Sequence, residues 1–356
     1  MAENIRLNIE PQTCKMGGEE HLDNIEGKYI AQEKFDGHRA IMYCKGGKNH
    51  FYSRRTSDVT GDKEENTDRI PYLRDLDLSK FEDSIFDGEL VADWEHTDSS
   101  IVQQVLGSTP ERALELYKQG HTLTYKIFDV IKFRGMDFSK KPLYVRLNIL
   151  NYVKERLGMY VEHVEVVPVV ADKNVDKNLL DEFIKCPNYK SFLNDMLCNG
   201  SEGIILKNLF SEYTFKRSSD WLKYKSVKTA DLVIMGFVSP KKDYTGKFSV
   251  EELKERGWEY WENDIPVSKT YAKGWVAGVR LGAFKDGKLK YVTTVKGFSD
   301  EVQENLKNND LSNVVVEIEY QGIVNQEKKS LRHPRWKCFR FDKEYTECLW
   351  DNVGNS

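Results

Sequence analysis

Several features that would mark a membrane, secreted or zinc-binding protein are missing from the sequence. No apolar run approaches the ~18 residues that a membrane-spanning helix needs. Residues 1–14 contain no basic segment followed by an apolar one, so no secretory signal is expected. None of the six cysteines forms a C-x-x-C pair and no His-x-x-x-His is present, which argues against a zinc site and against a disulfide framework. We therefore expect an intracellular protein with reduced thiols.

A large excess of positive charge is also missing. The formal net charge is -4, which excludes a protein coated in positive charge. A nucleic-acid partner stays possible, because phosphate binding needs only a local basic surface. Residues 216–228 and 328–343 are basic stretches that could supply one, although a solvated charged face is the alternative for both. In the second stretch, Trp336 and Phe339 interrupt the charges, which is typical of a packed strand.

The composition favours a globular protein of two domains. Apolar residues make up 40% of the 356 residues and aromatic residues 12%, which is enough for a sizeable core. The first part of the chain mixes helical and strand-like segments, without the regular alternation that a parallel sheet demands. We predict two strands joined at the turn dipeptide Asp36-Gly37. Further predicted strands are 123–131, 202–207 and 221–225, and predicted helices are 142–158, 176–185 and 189–199.

From about residue 230 the pattern changes to apolar, β-branched segments punctuated by glycine. These segments are 232–238, 275–284, 289–298 and 314–324, with one helix from about Asp300 to Lys307. Such a pattern is typical of a small antiparallel barrel. We place the boundary within residues 226–230, which predicts domains 1–228 and 229–356. The charged and aromatic residues 240–272 are interpreted as an insertion or a loop over the barrel.

The segment Lys34-Phe35-Asp36-Gly37-His38-Arg39 suggests covalent chemistry at a lysine. Residues two apart on a strand face the same way, so Lys34 and Asp36 are expected to share a face. A lysine attacks phosphorus only as the free amine, and its ordinary pKa of ~10.4 means that it must be desolvated or held near other cations. Arg39 would add a cation for phosphate. Taken alone, this segment is better explained as a charged hairpin.

Six further motifs follow in a fixed order. The seven are Lys34-Phe35-Asp36-Gly37-His38-Arg39, Ser53-Arg54-Arg55, Phe86-Asp87-Gly88-Glu89-Leu90, Tyr125-Lys126-Ile127-Phe128-Asp129-Val130, Ser201-Glu202-Gly203-Ile204-Ile205-Leu206-Lys207, Trp221-Leu222-Lys223-Tyr224-Lys225 and Arg340-Phe341-Asp342-Lys343. In this order they resemble the covalent nucleotidyltransferase superfamily of DNA ligases and mRNA capping enzymes. The resemblance spans residues 28–343, and the chain length is similar to that of the small ligases of bacteriophages and viruses, which have no extra N-terminal DNA-clamping domain.

The resemblance implies an α+β fold. An adenylation domain of mixed, mainly antiparallel sheets with helices would precede an OB-fold β-barrel. The implied activity is that of an ATP-dependent DNA ligase, which seals 3′-OH/5′-phosphate nicks through a lysyl-AMP intermediate and an adenylated DNA 5′-end. Its cofactors would be ATP and Mg²⁺ (or Mn²⁺), and its partner nicked double-stranded DNA. We expect a monomer without a membrane partner, in the host cytoplasm if the source is viral.

The resemblance also implies catalytic roles. Lys34 would attack the α-phosphate of ATP, form a phosphoramide with AMP and release pyrophosphate. Arg340, Asp342 and Lys343 would come from the second domain, fold over the ATP and orient the pyrophosphate. Such a lid must swing away before DNA enters, which requires a hinge near residues 226–230. The implied catalytic residues are Lys34, Asp36, Arg39, Lys223, Lys225, Arg340, Asp342 and Lys343.

The implied nucleotide-binding residues surround the same lysine. Phe128 would stack on adenine, and Arg39 and Arg54 would reach the ribose or the 5′-phosphate of the nick. Carboxylate oxygens suit Mg²⁺, so Glu202, with Glu89 or Asp36, would hold the metal or orient the ribose. The full nucleotide-binding set is Gln32, Glu33, Lys34, Arg39, Arg54, Glu89, Phe128, Glu202, Lys223 and Lys225, and the metal set is Glu202, Glu89 and Asp36.

One position departs from the family pattern. Many ligases have a glutamate two residues before the nucleophile that reads the adenine amino group, and here that residue is Gln32. Its side-chain oxygen can still accept from an adenine N–H, so ATP remains the expected substrate. An mRNA capping guanylyltransferase is one alternative, although those enzymes usually have Asp-Gly in place of Glu202-Gly203. The others are an ATP-dependent RNA ligase, which generally lacks a barrel with R-x-D-K, and a catalytically dead nucleic-acid-binding module, which the presence of Lys34 argues against.

Overall fold

A computed structural model describes residues 7–57, 61–92, 99–158, 161–225, 228–309, 311, 313–325 and 327–354. The chain divides into two compact units, Met1–Ser226 and Val227–Ser356. Two of the five residues in the boundary segment predicted from the sequence, residues 226 and 227, lie outside the described residues. Within the described ranges, no helix combines the length and the apolar character needed to cross a membrane.

The first unit contains two large sheets and several helices. Its strands are β1 (Thr13–Met16), β2 (Tyr29–Lys34), β3 (His38–Lys45), β4 (Lys48–Thr56), β5 (Lys63–Glu65), β6 (Ser84–Ala92), β7 (Leu123–Phe133), β8 (Met136–Asp137), β9 (Val164–Val166), β10 (Val170–Ala171), β11 (Ile184–Lys185), β12 (Gly203–Asn208) and β13 (Arg217–Lys225). Its α-helices are α1 (Pro71–Arg74), α2 (Ser99–Leu106), α3 (Pro110–Lys118), α4 (Leu143–Leu157) and α5 (Tyr189–Cys198). Short 3₁₀ helices lie at Glu19–Asp23, Thr67–Arg69 and Ser79–Phe81.

The two sheets are mainly antiparallel. The first has six strands in the order β1-β13-β12-β2-β10-β11, and the second has the order β5-β4-β3-β6-β7-β8, with β9 beside β7. Only the pairs β1–β13, β10–β11 and β7–β9 run parallel among the strand pairs described. The predicted mixture of helices with mainly antiparallel sheets is therefore confirmed for this unit.

The strands on either side of Asp36-Gly37 are confirmed, but they do not pair with each other. β2 belongs to the six-stranded sheet and β3 to the other sheet. The hairpin alternative is therefore wrong, and the segment from Lys34 to Arg39 passes from one sheet to the other. Ile41, Phe128 and Trp221 belong to an apolar layer to which both sheets contribute. Two sheets that are stacked face to face in this way leave the motif at the edge of their interface.

Helix α4 follows the pattern predicted for residues 142–158. Pro142 precedes it and Gly158, at a φ of 62°, ends it. Its buried stripe, which contains Leu147, Leu150 and Val153, packs in the main core on the β3–β6–β7 sheet. Helix α5 confirms the prediction for residues 189–199.

The predicted helix at residues 176–185 is wrong. The Asp176 carboxylate accepts from the backbone N–H of Asn178 at 2.9 Å, and the N–H of Ile184 donates to Val169 at 2.8 Å. Side chains of this kind offer the backbone an alternative to helical hydrogen bonds. The segment therefore forms turns and then the short strand β11, which pairs with β10.

The second unit is built around one antiparallel sheet. Its strands are β14 (Lys228–Val238), β15 (Trp261–Glu262), β16 (Ile265–Pro266), β17 (Gly278–Lys285), β18 (Lys288–Val295), β19 (Val315–Tyr320), β20 (Gly322–Asn325), β21 (Ser330–Arg332) and β22 (Arg335–Phe339). Its α-helices are α6 (Val250–Glu255), α7 (Lys269–Ala272) and α8 (Asp300–Asn308), and 3₁₀ helices lie at Tyr345–Glu347 and Trp350–Asn352.

The main sheet of this unit has the order β18-β17-β14-β19-β22. Helix α8 lies between β18 and β19 along the chain, which confirms the helix predicted near Asp300. The strand predicted for residues 314–324 is interrupted at Gln321, so β19 and β20 belong to different sheets. Residues 240–272 fold into α6, the β15–β16 pair and α7, and α6 begins with a capping box between Ser249 and Glu252.

Candidate active site

Three neighbouring strands of the six-stranded sheet bring several predicted residues onto one face. Across β12, Lys34 of β2 lies in register with Lys225 of β13, and Gln32 lies in register with Lys223. Residues directly opposite each other on neighbouring strands, and residues two apart along a strand, share a face of the sheet. Lys34, Lys223 and Lys225 therefore belong to one cationic face, although they come from distant parts of the sequence.

The other sheet contributes an arginine that is held firmly in place. The Arg39 Nε donates to the Asp87 Oδ1 at 2.7 Å, and its Nη2 donates to the second oxygen of the same carboxylate. Asp87 is fully buried and also accepts from the Tyr213 hydroxyl. The guanidinium carbon of Arg39 lies 4.8 Å from the centroid of the Phe128 ring. The bidentate pair fixes the orientation of Arg39 and balances its charge.

A cavity of about 360 Å³ opens between these elements. It is lined by Thr13, Cys14, Glu33, Lys34, Phe35, Gly37, His38, Arg39, Arg54, Arg55, Glu89, Phe128, Ile205 and Lys223. The volume lies at the lower end of the usual range for small-molecule sites. Five of the lining side chains are lysine or arginine and two are carboxylates, so the cavity favours an anionic ligand.

Lys34 is paired with the carboxylate of Glu202. Its Nζ donates to the Glu202 Oε2, and both side chains are 20% exposed. Glu202 immediately precedes β12, whose first residue lies opposite Lys34. The sequence predictions for Lys34 and Glu202 placed both in one site, and the structure brings them into direct contact across 168 positions of sequence.

Glu89 has an altered proton affinity. Burial raises the pKa of its carboxyl to about 7, against the smaller opposing effects of Arg39 and Lys34. Glu89 lies opposite Arg39 in the β3–β6 register. Its carboxyl therefore exchanges a proton near neutral pH, inside a cavity that already contains several cations.

Phe128 lines the cavity, and Lys207, which the sequence analysis quoted in the Glu202 motif without giving it a role, supports Phe128. The Lys207 Nζ donates to the Phe128 carbonyl at 3.0 Å and lies 4.4 Å and 4.1 Å from the ring centroids of Phe128 and Trp221. Burial lowers the pKa of Lys207 to about 8. Its position at the end of the apolar run from Ile204 was the available signal, because a lysine that continues a buried strand needs a partner.

A comparison with models of known protein families identifies the family to which the cavity-lining part of the chain belongs. The model of the ATP dependent DNA ligase domain matches residues 11–225, which is more than half of the chain and contains every cavity-lining residue. The chain belongs to the ATP-dependent DNA ligase family. This match favours a ligase over the capping-enzyme alternative.

Curated relatives of this ligase-family chain include DNA ligases of greater length. A DNA ligase of Sulfolobus acidocaldarius is 26% identical over 240 residues, which cover 65% of this chain and 37% of that protein. The SPbeta prophage-derived DNA ligase-like protein LigB of Bacillus subtilis is 27% identical over 221 residues, which cover 60% of this chain and 67% of that protein. The match thus spans well under half of the Sulfolobus ligase.

Solved structures show the same fold. A structure described as part of a structure-function analysis of Lig E DNA ligases superposes with a TM-score of 0.55 at 18% identity, and covers 94% of this chain and 100% of the other. A second, titled Pmar-Lig_PreS3, has a TM-score of 0.60 at 19% identity, with 93% of this chain and 68% of the other covered.

The glycine of the ligase motif Glu202-Gly203 is required by close packing. A Cβ at Gly203 would lie 2.0 Å from the Tyr224 carbonyl oxygen, and its φ is 148°. Gly37 is similarly confined, because a Cβ there would lie 2.2 Å from the Leu90 carbonyl oxygen. Both glycines allow backbone segments to approach where a side chain could not fit.

The remaining predicted residues lie at different distances from the cavity. Glu33 and Arg54 line it, and Glu33 also accepts from the Ser201 hydroxyl at 2.6 Å. Gln32 and Lys225 share the face of Lys34 without lining the cavity. Asp36 lies beyond the end of β2, so the strand alternation used to place it beside Lys34 does not extend to it.

Arg340, Asp342 and Lys343 belong to the second unit of this ligase-family chain. They follow β22 and form a network of their own. The Arg340 Nε and Nη2 donate to the two oxygens of Asp342, each at 2.9 Å. Asp231, which the sequence analysis did not identify, accepts from both Arg340 and Lys343.

Proposed function

We propose that the protein is an ATP-dependent DNA ligase that stores AMP on Lys34 and uses it to seal nicks in duplex DNA. The observation that carries this proposal is the contact between Lys34 and Glu202 beside the cationic cavity. The family match and the DNA ligases among the relatives support it.

The nucleotide would occupy the cavity with its α-phosphate at Lys34. Lys223 lines the same space and supplies a second cation for that phosphate. Phe128 offers its ring to the adenine, and Lys207 contacts both the ring and the backbone carbonyl of Phe128. Arg54 and Arg39 are the cations for the ribose or for a second phosphate.

Gln32 would select adenine if the base extends beyond the cavity lining along the sheet face that Gln32 shares with Lys34. Its Nε2 donates to the Val167 carbonyl at 3.4 Å, and its Oε1 is buried without a hydrogen-bond partner among the described residues. The Val167 carbonyl can only accept a hydrogen bond, so it must face the NH₂ group of the Gln32 side chain. The Gln32 Oε1 is then left to accept a hydrogen bond from the base. A free acceptor favours the 6-amino group of adenine over the 6-oxo group of guanine.

The covalent step would exchange one bond to phosphorus for another. The Lys34 nitrogen attacks the α-phosphorus, the new P–N bond forms, and the P–O bond to pyrophosphate breaks. The lysine must be neutral to attack, so its proton has to leave and its pairing with Glu202 has to loosen. AMP then passes to the 5′-phosphate of the nick, and the 3′-OH displaces AMP to close the phosphodiester bond.

A Mg²⁺ ion bound together with ATP fits the carboxylates present. No group of three or more His, Cys, Asp or Glu side chains in the described part of the chain could hold a metal by itself. Magnesium in nucleotide sites is commonly held by one or two carboxylates together with phosphates and water. Glu202 and Glu89 would serve in this way, with Asp36 as the third predicted ligand, and the ion would offset phosphate charge.

The second unit would be the OB-fold domain. β14, β17 and β18 form a meander, β19 returns to pair with β14, and β22 pairs with β19. This order supports a five-stranded barrel of the OB type. The predicted domains 1–228 and 229–356, with a hinge near residues 226–230, would allow Arg340 and Lys343 to act on ATP and then withdraw for DNA.

Labelling with α-³²P-ATP and Mg²⁺ tests the proposal. The protein should retain label, Lys34→Ala should lose it, and Lys28→Ala should keep it, because Lys28 is exposed and pairs with Glu26 outside the cavity. The label should leave when nicked duplex DNA is added, and the nick should close. Labelling from GTP instead of ATP would contradict the proposal, as would retained labelling in Lys34→Ala.

A further inference from the structure

Two cations of the R-x-D-K motif converge on one carboxylate of the second unit. The Arg340 Nη1 donates to the Asp231 Oδ1 at 3.2 Å, and the Lys343 Nζ donates to the Asp231 Oδ2 at 2.6 Å. Each oxygen of Asp231 therefore binds a different cation. The two oxygens of Asp231 share one carbon, just as two oxygens of a phosphate share one phosphorus. Arg340 and Lys343 are therefore spaced to bind a single anionic group.

The carboxylate is held by the sheet. Asp231 lies within β14, directly opposite Glu317 of β19, and its side chain is 20% exposed. The motif reaches it from the end of β22, where the Arg340 N–H donates to the Val315 carbonyl at 2.8 Å. The strand pairing fixes both the backbone of Asp231 and the start of the motif, while the side chains of Arg340 and Lys343 are each 29% exposed and can exchange partners.

We propose that Asp231 is a positioning residue that occupies the phosphate site of Arg340 and Lys343 until the triphosphate displaces it. This role rests on the proposed ligase function, because it assumes that these two cations bind the phosphates of ATP. Asp231 keeps the cations at the spacing of one anionic group and balances them when no nucleotide is bound. ATP must then compete with this carboxylate for both side chains.

Competition predicts the direction of the effect. Arg340, Lys343, Asp342 and Asp231 sum to no net charge, and removal of the Asp231 charge leaves one positive charge. Nucleotide binding should therefore become tighter in Asp231→Asn. Because partly exposed ion pairs contribute up to about 1 kcal/mol, the dissociation constant should fall about fivefold.

The experiment measures binding of α,β-methylene-ATP with Mg²⁺ to the full chain by calorimetry, since this analogue cannot transfer AMP. Asp231→Asn should bind about fivefold tighter than the wild type, and raised salt should shrink the difference. Glu317→Gln is the matched control, because it removes a charge opposite Asp231 that pairs with Lys337 at 3.0 Å. It should change the dissociation constant much less than Asp231→Asn does, because the hydrogen bonds described for Glu317 come from Lys337 and Cys338 and not from Arg340 or Lys343.

Equal or weaker binding by Asp231→Asn would overturn the role of Asp231. Weaker binding with a lower unfolding temperature would identify Asp231 as a structural residue only. If the wild type failed to bind the analogue, the proposed ligase function would fail together with this role. An unchanged dissociation constant in the variant, with a wild type that binds, would overturn the role of Asp231 alone.

Discussion

Substitution of Gly203 by alanine should damage both the fold and the site. The added Cβ would lie 2.0 Å from the Tyr224 oxygen and 2.7 Å from the Lys225 Cα. Both are backbone atoms of β13, so no side-chain rotation relieves the contact, and β12 must move away from β13. The φ of 148° adds backbone strain that glycine does not experience.

The expected loss of stability follows from these two effects. Overpacking of this kind reduces the free energy of unfolding by about 1–3 kcal/mol, and an unfavourable backbone conformation by about 1–3 kcal/mol. We expect a total of about 2–6 kcal/mol, which is a large part of the roughly 5–15 kcal/mol that stabilises a typical domain. Gly200→Ala is the control, because its φ is 83° while nothing lies within 4 Å of the added Cβ.

The chemistry should suffer as well, because Gly203 lies opposite Lys34 in the β2–β12 register. A shift of β12 separates Glu202 from the lysine, and a misplacement of ~1 Å can slow catalysis about 100-fold. Urea unfolding would measure the stability, and the rate of lysine labelling by α-³²P-ATP would measure the chemistry. If Gly203→Ala matched Gly200→Ala in both measurements, the steric reasoning would be refuted.

Two further predictions concern buried polar groups of the site. The pKa of Glu89 is about 7 in the folded protein, against an ordinary value of 4.5. Between those two pH values the unfolded chain releases a proton that the folded protein retains. The free energy of unfolding therefore falls as the pH rises. In Glu89→Gln, the free energy of unfolding measured with urea should fall less from about pH 5 to about pH 8 than in the wild type. An equal fall in both proteins would contradict this prediction. Gln32→Leu removes the acceptor for the adenine amino group and should raise the half-saturating ATP concentration about tenfold. Purine riboside triphosphate, which lacks that amino group, should label wild type and variant equally, and a further loss with this substrate would argue against base reading by Gln32.

The sequence was most informative about features that depend only on residues close to one another along the chain. The flanking residues Pro142 and Gly158 and the apolar spacing between them predicted helix α4, because capping and helical periodicity are local properties. The seven motifs nominated candidate site residues in the same way, because each motif is a short segment, and the roles given to those residues stay predictions. Lys34, Arg39 and Phe128 all line one cavity as a result.

Pairing between distant segments could not be read from the same patterns. The turn at Asp36-Gly37 indicated two strands, but nothing local states that β2 and β3 enter different sheets. The failed helix at 176–185 has a similar cause, because its residues pair with β10 only after the chain has folded. Lys207 was given no role and Asp231 was not singled out, because a charged residue acquires its role from partners that are remote in sequence, such as Phe128 for Lys207.

The distribution of charge in the cavity suggests why the proposed reaction can proceed in two stages at one place. Arg39 is balanced by Asp87 and Lys34 by Glu202, while Arg54, Arg55 and Lys223 add three further cations to the lining. Attachment of AMP removes the charge of the Lys34 amine and adds a phosphate, so the demand for cations rises as the first stage ends. The entry of a second phosphate from DNA raises it again. In the proposed reaction, cations that are not already paired with buried carboxylates would meet both demands, with Lys223 at the first phosphate and the exposed Arg54 or Arg55 at the second, while Arg39 would remain for the ribose.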